Sequence, residues 1–275
     1  MRVGDKMIKR IPIIVFAVLT LGLSAYTLLS EALDGVRELS TPVIDSDTEF
    51  LSETASEPSV AVNIFTVAID PGHQASGDSQ REPIGPGATE YKARVAPGTR
   101  GVSTRVPEYQ LVLDVSLLLR DELITRGFNV FMIRETNDVN ISNRERAIMA
   151  TEAGAEIFVR VHANAAPNSD AHGMMTLSPS RNNQFIPDLY IQSRALSDYI
   201  LLSMVSATGA RNLGVLEIDD MTGINWATVP VAIIELGFMT NPTEDKLMQT
   251  DEYQQKLVMG IANGIERFFA ENSDR

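Results

Sequence analysis

The sequence contains no cysteine, and this absence removes several classes of protein from consideration. A disulfide framework, a thiolate zinc site and a cysteine nucleophile are all excluded. Histidine is scarce, with three residues in 275, so each one is a candidate for a specific role. Basic residues are too few to balance the acidic ones, and a net charge of −13 argues against binding to nucleic acid. An acidic partner must therefore be held by specific contacts rather than by overall attraction.

The first 60 residues differ in composition from the rest of the chain. Ile11–Leu29 is an uncharged apolar run of 19 residues, and four basic residues precede it: Arg2, Lys6, Lys9 and Arg10. This pattern predicts an N-terminal membrane-spanning helix over residues 1–30, an uncleaved signal anchor whose basic side stays in the cytoplasm. A cleaved signal peptide and an internal helix are the alternatives. Residues 31–61, which are acidic and rich in serine and threonine, are predicted to form a solvated linker.

Short apolar runs alternate with helical patterns from residue 62 onward. The runs predict strands at Ile64–Ile69, Phe128–Ile133, Glu156–Val161 and Val231–Ile234, with weaker ones at Met174–Leu177 and near Val215–Ile218. They are apolar throughout, as in strands covered on both faces. Residues 62–275 are therefore predicted to form a single α/β domain with a mostly parallel central sheet flanked by helices.

The helices are predicted from periodicity and from their end signals. An apolar stripe runs from Leu111 to Leu123 and stops at Gly127, and Ser142 and Glu145 form a capping-box pattern. Asn241 precedes a proline at a first helical position. Asp188–Thr208 and Tyr253–Phe269 are predicted as two further helices. Arg144 and Arg146 are expected to be solvated or paired on their own helix.

Three residues suited to chemistry follow predicted strands. His73 comes after the first strand, His162 after Glu156–Val161, and Glu235 after Val231–Ile234. The carboxyl ends of parallel strands share one edge of a sheet, where ligand sites collect. Two imidazoles and a carboxylate there suit a divalent metal, most naturally zinc, with another group as general base. The alternatives are a turn-capping role for His73, a core position for His162, and an arginine-paired carboxylate for Glu235.

Four motifs sharpen this interpretation because they occur together and in a fixed order. They are IDPGHQ, the helix-opening VPEYQLVLDVSLLLRDEL, the segment ISNRERAIMATEAGAEIFVRVHANA, and VPVAIIELGFMTNPTED. Over roughly Ile64–Phe269 the chain resembles the zinc-dependent N-acetylmuramoyl-L-alanine amidases with a type-3 amidase domain, which cut bacterial peptidoglycan. The residue after His73 departs from the pattern, since Gln74 stands where the family often has glycine. The long segment 74–107 is a second departure and is expected to form an enlarged loop over the site.

The resemblance implies a role for each of four residues. His73, Glu108 and His162 are expected to bind one Zn²⁺ per chain, and Glu235 is expected to be the catalytic residue. Glu108 has an alternative role, because an acid in a first helical turn also complements the helix dipole. The third histidine, His172, is expected to be a loop residue, a substrate contact, or a ligand replacing Glu108. Trp226 is expected to pack or to stack on a sugar.

The implied function is that of a peptidoglycan hydrolase. It would cleave the amide between N-acetylmuramic acid and L-alanine of the stem peptide by means of a zinc-activated water. The rivals are a zinc peptidoglycan peptidase and a non-catalytic wall-binding or regulatory domain of the same fold. The expected partners are peptidoglycan, the membrane through the N-terminal helix, and an unidentified regulatory protein. The expected location is extracytoplasmic, anchored to the cell membrane, or secreted to the cell wall if the N-terminal segment is cleaved.

Overall fold

The computed structural model describes residues 64–272, which belong to one compact unit. The predicted anchor at 1–30 and linker at 31–61 lie outside the described residues. Within residues 64–272, no helix has both the length and the apolar character needed to cross a membrane.

Eight strands and six helices make up the described chain. The strands are β1 (Thr66–Pro71), β2 (Asp78–Pro83), β3 (Tyr91–Val95), β4 (Asn129–Met132), β5 (Ile157–Asn164), β6 (Met174–Ser178), β7 (Asn212–Glu217) and β8 (Val231–Phe238). The helices are α1 (Glu108–Thr125), α2 (Asn143–Glu152), α3 (Tyr190–Thr208, after a 3-10 turn at Pro187–Leu189), α4 (Thr222–Asn225), α5 (Pro242–Leu247) and α6 (Asp251–Asn272).

The central sheet has six strands in the order β4-β1-β5-β8-β6-β7. The first four strands in that order are mutually parallel, β6 is antiparallel to β8, and β7 is parallel to β6. Every strand predicted from an apolar run is present in this sheet. The predicted α/β domain with a mostly parallel sheet flanked by helices is thus confirmed for the described residues.

The two faces of the sheet bury different sets of side chains because residues alternate along each strand. On β5, Ile157, Val159 and Val161 join the larger core with α1, α3 and α6. Phe158, on the opposite face, joins a smaller core that includes residues of α2 and α4. Arg160 and His162 continue the row of Phe158, so this second face carries the polar chemistry.

The predicted helix ends have the expected capping contacts. The Ser142 hydroxyl accepts a hydrogen bond from the Glu145 backbone N–H at 3.1 Å, and the Glu145 carboxylate accepts one from the Ser142 N–H at 2.7 Å. The Asn241 side chain accepts hydrogen bonds from the N–H groups of Thr243 and Glu244. The first cap therefore fixes the start of α2 against the second face of the sheet, and the second fixes the start of α5 after β8.

The segment 74–107 is more ordered than the loop predicted for it. It contains the antiparallel hairpin of β2 and β3, which is linked to α2 through Arg94, whose guanidinium contacts Asp78 at 3.0 Å and Glu145 at 2.9 Å. Farther along, the buried carboxylate of Asp245 accepts hydrogen bonds from the backbone N–H groups of Ser103 and Thr104. The segment is thus fastened at both ends.

Candidate functional site

The predicted site residues come from four separate elements. His73 follows β1, and Glu108 is the first residue of α1. His162 and Glu235 were expected just after their strands, but both lie inside them, because β5 continues to Asn164 and β8 to Phe238. They are direct neighbours in the β5–β8 register. Backbone pairing between β5 and β8 continues past these polar residues. The apolar pattern of the sequence ends before them and so could not predict the full length of either strand.

Three of these side chains meet at one point. His73 Nε2 lies 3.0 Å from Glu108 Oε1, and His162 Nδ1 lies 3.1 Å from the same oxygen. The two imidazole nitrogens are 3.1 Å apart. These separations are close to the roughly 3.3 Å edge of a tetrahedron around an ion with ~2.0–2.1 Å bonds. The His73–Glu108–His162 cluster is therefore consistent with a metal site.

The groups around the cluster hold its ligand atoms in a suitable orientation. His73 Nδ1 lies 2.8 Å from the Ala96 carbonyl oxygen, which leaves the Nε2 lone pair directed at the cluster. Glu108 accepts hydrogen bonds from the backbone N–H of Thr99 at 2.9 Å and of Ala163 at 3.1 Å. These contacts orient the His73 imidazole and the Glu108 carboxylate independently of each other. Such separate support is expected for metal ligands rather than for a simple salt bridge.

The protonation states also suit a metal. Burial is the main reason that the pKa of His162 falls to about 4, so its imidazole is neutral at pH 7. Burial alone would raise the pKa of Glu108, but the two neighbouring imidazoles, of His162 and His73, outweigh it and hold that pKa well below its usual range. Neutral imidazole and ionised carboxylate are the forms that bind a cation.

Glu235 differs from Glu108 in both environment and pKa. Its Oε2 atom is buried and has no hydrogen-bond partner in the described structure. Burial, with a smaller contribution from the charge of Glu108, raises the pKa of Glu235 to about 8. It is not the arginine-paired carboxylate that was one alternative. A group with this pKa can take up and release a proton near neutral pH.

The four side chains line a cavity of about 650 Å³. One wall comes from Lys92–Ala93 and Val95–Thr99, so the segment 74–107 does border the site, as predicted. The lining also includes Asn143, Arg160 and Gly223, together with the apolar residues Leu177 and Ile233. The cavity is therefore wide, mixed in polarity and open beside the cluster.

A buried ionic network below the cavity was missed by the sequence interpretation. Arg146 was expected to be solvated or paired on its helix, and this was wrong: it is fully buried and bonds to Asp70 on β1 at 2.6 Å. Asp70 also binds Arg160 at 2.8 Å. Arg146 and Arg134 donate to carbonyls between Pro71 and His73, which positions the turn carrying His73. The one available signal, the capping box, places Arg146 on a helix without showing its inward direction.

The remaining candidates lie away from the cluster. His172 is exposed, and its Nδ1 lies 2.8 Å from the Asp170 carbonyl of its own loop; it is not part of the metal-type cluster among the described residues. Trp226 packs against the protein, which was one of the two roles expected for it. Its indole N–H donates to the Pro83 carbonyl at 3.0 Å, and the Arg144 guanidinium lies 4.2 Å from its ring centroid.

Comparison with known proteins agrees with this geometry. The sequence profile of Amidase_3, N-acetylmuramoyl-L-alanine amidase, matches residues 67–267. The chain is 29% identical over 237 residues to the N-acetylmuramoyl-L-alanine amidase Rv3717 of Mycobacterium tuberculosis, covering 84% of this chain and 93% of that protein. It is 26% identical over 192 residues to the germination-specific N-acetylmuramoyl-L-alanine amidase of Bacillus subtilis, covering 65% and 77%.

A solved structure supports the same assignment. The crystal structure of the N-acetylmuramyl-L-alanine amidase Ami1 from Mycobacterium smegmatis superimposes with a TM-score of 0.68 at 25% identity, covering 76% of this chain and 98% of that one. The matched region contains the cluster and Glu235. The chain therefore belongs to the Amidase_3 family of N-acetylmuramoyl-L-alanine amidases, which are peptidoglycan hydrolases.

Proposed function

We propose that the protein cleaves the amide between N-acetylmuramic acid and L-alanine with a single zinc ion held by His73, Glu108 and His162. The observation that carries the proposal is the meeting of three ligand atoms within 3.1 Å of one another at the wall of an open cavity. Two neutral imidazoles and one carboxylate leave a divalent cation with net positive charge. Such a donor set is typical of catalytic rather than structural zinc, because three protein ligands leave one position open.

A zinc ion bound there would act as a Lewis acid on the substrate carbonyl and lower the pKa of an attacking water. The residues of this chain supply the remaining steps. Glu235 accepts the proton of that water as the nucleophile attacks, and then delivers the proton to the departing amine nitrogen. Glu235 lines the cavity, and among the described residues its Oε2 has no hydrogen-bond partner that competes for the proton. A nearby cation favours the carboxylate form, so Glu235 begins the reaction ionised despite its raised pKa.

The cavity wall determines which amide can reach these groups. The hairpin side chains and the apolar residues Leu177 and Ile233 enclose the site laterally, while its mouth stays open to a polymer.

We also propose that residues 1–30 anchor the protein to the membrane. The amidase family implies an extracytoplasmic location, and the anchor would keep the catalytic domain close to the wall.

Digestion of purified peptidoglycan tests the reaction directly. The full chain is incubated with peptidoglycan, once with added zinc and once with a chelator, and the new ends are identified by mass spectrometry. The proposal predicts zinc-dependent release of stem peptides with a free L-alanine amino terminus. New ends within the stem peptide would favour the peptidase rival. Zinc binding without any cleavage would favour a regulatory domain.

A further inference from the structure

Arg160 is a buried cation at the wall of the cavity that the cleavage chemistry does not use. It lies two residues before His162 on β5, on the same face of the sheet, and its side chain lines the cavity. The residue is 3% exposed. A cation at such a position requires partners, and its hydrogen bonds show which of its donors are already occupied.

The guanidinium of Arg160 has five N–H donors, and only part of this capacity is used. Nε donates to Asp70 Oδ2 at 2.8 Å, and Nη2 donates to Asn143 Oδ1 at 2.7 Å. Nη1 has no hydrogen-bond partner among residues 64–272. The fully enclosed atoms without a partner there are Ser116 Oγ, Glu235 Oε2 and Gln249 Nε2. Since Nη1 is not one of them, it reaches the open space of the cavity.

The charge around Arg160 is not balanced locally. One carboxylate, Asp70, is shared between Arg160 and Arg146, at 2.8 Å and 2.6 Å. Two guanidiniums and one carboxylate give these three buried groups a formal net charge of about +1. The other basic residue of the cavity wall, Lys92, is paired with Asp220 at 2.6 Å. Arg160 is therefore the point at which the positive charge of this buried network meets the cavity.

The surroundings of Nη1 keep this donor accessible. Gly223 also lines the cavity, and a Cβ atom placed on it would lie 1.8 Å from Nη1. A side chain at that position would displace the guanidinium. The absence of one leaves Nη1 at the wall, where an oxygen of a bound molecule can accept its hydrogen bonds.

We propose that Arg160 binds the α-carboxylate of the second residue of the stem peptide and so selects stems in which this carboxylate is free. This inference rests on the proposed amide cleavage. Two strand residues separate Arg160 from His162 by about 6.6 Å. In an extended peptide, the α-carboxyl carbon of the second residue lies roughly 6 Å from the scissile nitrogen. The two spans match, so a substrate positioned at the His73–Glu108–His162 cluster has the reach to bring this carboxylate to Arg160. A charge-assisted hydrogen bond there adds affinity and orients the stem.

The test compares two ligands that differ at a single group. Both are N-acetylmuramoyl dipeptides, with L-alanine followed by D-glutamate or by D-isoglutamine, so that only the α-carboxyl is free or amidated. Binding is measured by calorimetry to the zinc-loaded full chain carrying Glu235→Gln, which prevents turnover. The free acid is expected to bind about ten- to a hundredfold more tightly than the amide. Arg160→Gln in the same background should remove this preference while the affinity for the amide stays unchanged.

Two controls separate recognition from structural effects. Lys92→Gln changes the other cavity cation and should retain the preference for the free acid. Arg160→Lys keeps a positive charge beside Asp70 but lacks the second N–H group that reaches the cavity. This variant should show an intermediate preference for the free acid. Equal dissociation constants for the two ligands, binding of neither, or an equal loss of both in Arg160→Gln would each overturn the proposal. If the peptidoglycan digestion still yields L-alanine amino termini in that case, only the carboxylate assignment fails.

Discussion

Asp70 is a fully buried carboxylate between two guanidiniums, and it shows how the site is supported from below. Burial alone would raise its pKa, but Arg146 and Arg160 lower it from the ordinary value of 3.8 to about 2. Removal of this charge leaves both arginines uncompensated in the protein interior. Such a change is typically costly, since an unpaired buried charge cannot be rehydrated.

Asp70→Asn should lower the free energy of unfolding by about 3–5 kcal/mol at pH 7. The folded-state pKa of Asp70 is depressed, so its ionisation contributes stability above pH 3.8, and this contribution is lost as the pH falls through about 2. The difference in unfolding free energy between the wild type and Asp70→Asn should therefore decrease by about 2 kcal/mol as the pH is lowered from 5 to 2. Urea unfolding of the full chain at several pH values measures it.

The matched control is Asp198→Asn, which breaks an exposed i,i+4 pair with Arg194. It should change the unfolding free energy by less than about 1 kcal/mol. A difference between wild type and Asp70→Asn that does not change with pH would contradict the ionic account of this network.

Individual site residues differed in how well the sequence could predict them. His73, His162 and Glu235 could be found because each stands near the carboxyl end of an apolar strand. The strand pattern carried no information on Glu108, whose assignment came from the family resemblance. Arg146 and Arg160 could not be assigned, since their shared partner Asp70 is 76 and 90 residues away in the chain. Such pairing is decided by the fold, and no local pattern records it.

The turn after β1 is the element that joins the network to the metal-type cluster. Gly72 donates its backbone N–H to the Val161 carbonyl at 2.9 Å, which places it against the β5 strand. A Cβ atom on Gly72 would lie 2.3 Å from His162 Cε1 and 2.4 Å from Nε2. The imidazole thus packs directly on the glycine, and its orientation depends on the lack of a side chain there.

Gly72→Ala should displace the His162 ring and weaken zinc binding by about 10- to 100-fold, the range seen when the support of a ligand is lost. Gly127→Ala is the control, because Gly127 has a φ of +88° but open space around it. That variant should lose about 1 kcal/mol of stability and keep its zinc affinity. Competition with a chromogenic chelator measures the affinity. Unchanged zinc binding in Gly72→Ala would contradict the packing argument.

Among the secondary-structure elements, the apolar patterns of the sequence predicted those that pack into the hydrophobic core. The six strands of the sheet and the long helices are present because each buries an apolar face. The β2–β3 hairpin was missed because DSQREP is polar almost throughout and the alternation in YKARV covers only five residues. Polar contacts such as Arg94–Asp78 help to hold it. Helix α4 is four residues long, too short for a periodic signal.

The whole molecule carries a net charge of −13, although its polymeric substrate also bears carboxylates. Overall electrostatics therefore oppose the encounter, and specific contacts at the cavity must favour it. Repulsion between exposed charges is screened as the Debye length falls from ~30 Å at 0.01 M to ~10 Å at 0.1 M salt. Contacts inside the cavity are screened much less.

Cleavage of intact peptidoglycan should accordingly become faster as salt rises from about 10 to 100 mM, through a lower KM rather than a higher kcat. A small muramoyl dipeptide amide is the control substrate, and its cleavage should hardly respond. Initial rates at several salt concentrations measure both. A decrease in the rate on peptidoglycan over this range would indicate a long-range attraction that the charge distribution does not predict.

The central claim is that one zinc ion is held by His73, Glu108 and His162 while Glu235 moves the proton. The most direct measurement determines bound zinc and turnover on the same samples of wild type, Glu235→Gln and His162→Ala, with the exposed Glu252→Gln as control. The account predicts one zinc per chain in Glu235→Gln with a loss of turnover of about 10²–10⁴-fold, and loss of zinc in His162→Ala. Near-normal turnover in Glu235→Gln, or full zinc retention in His162→Ala, would contradict it.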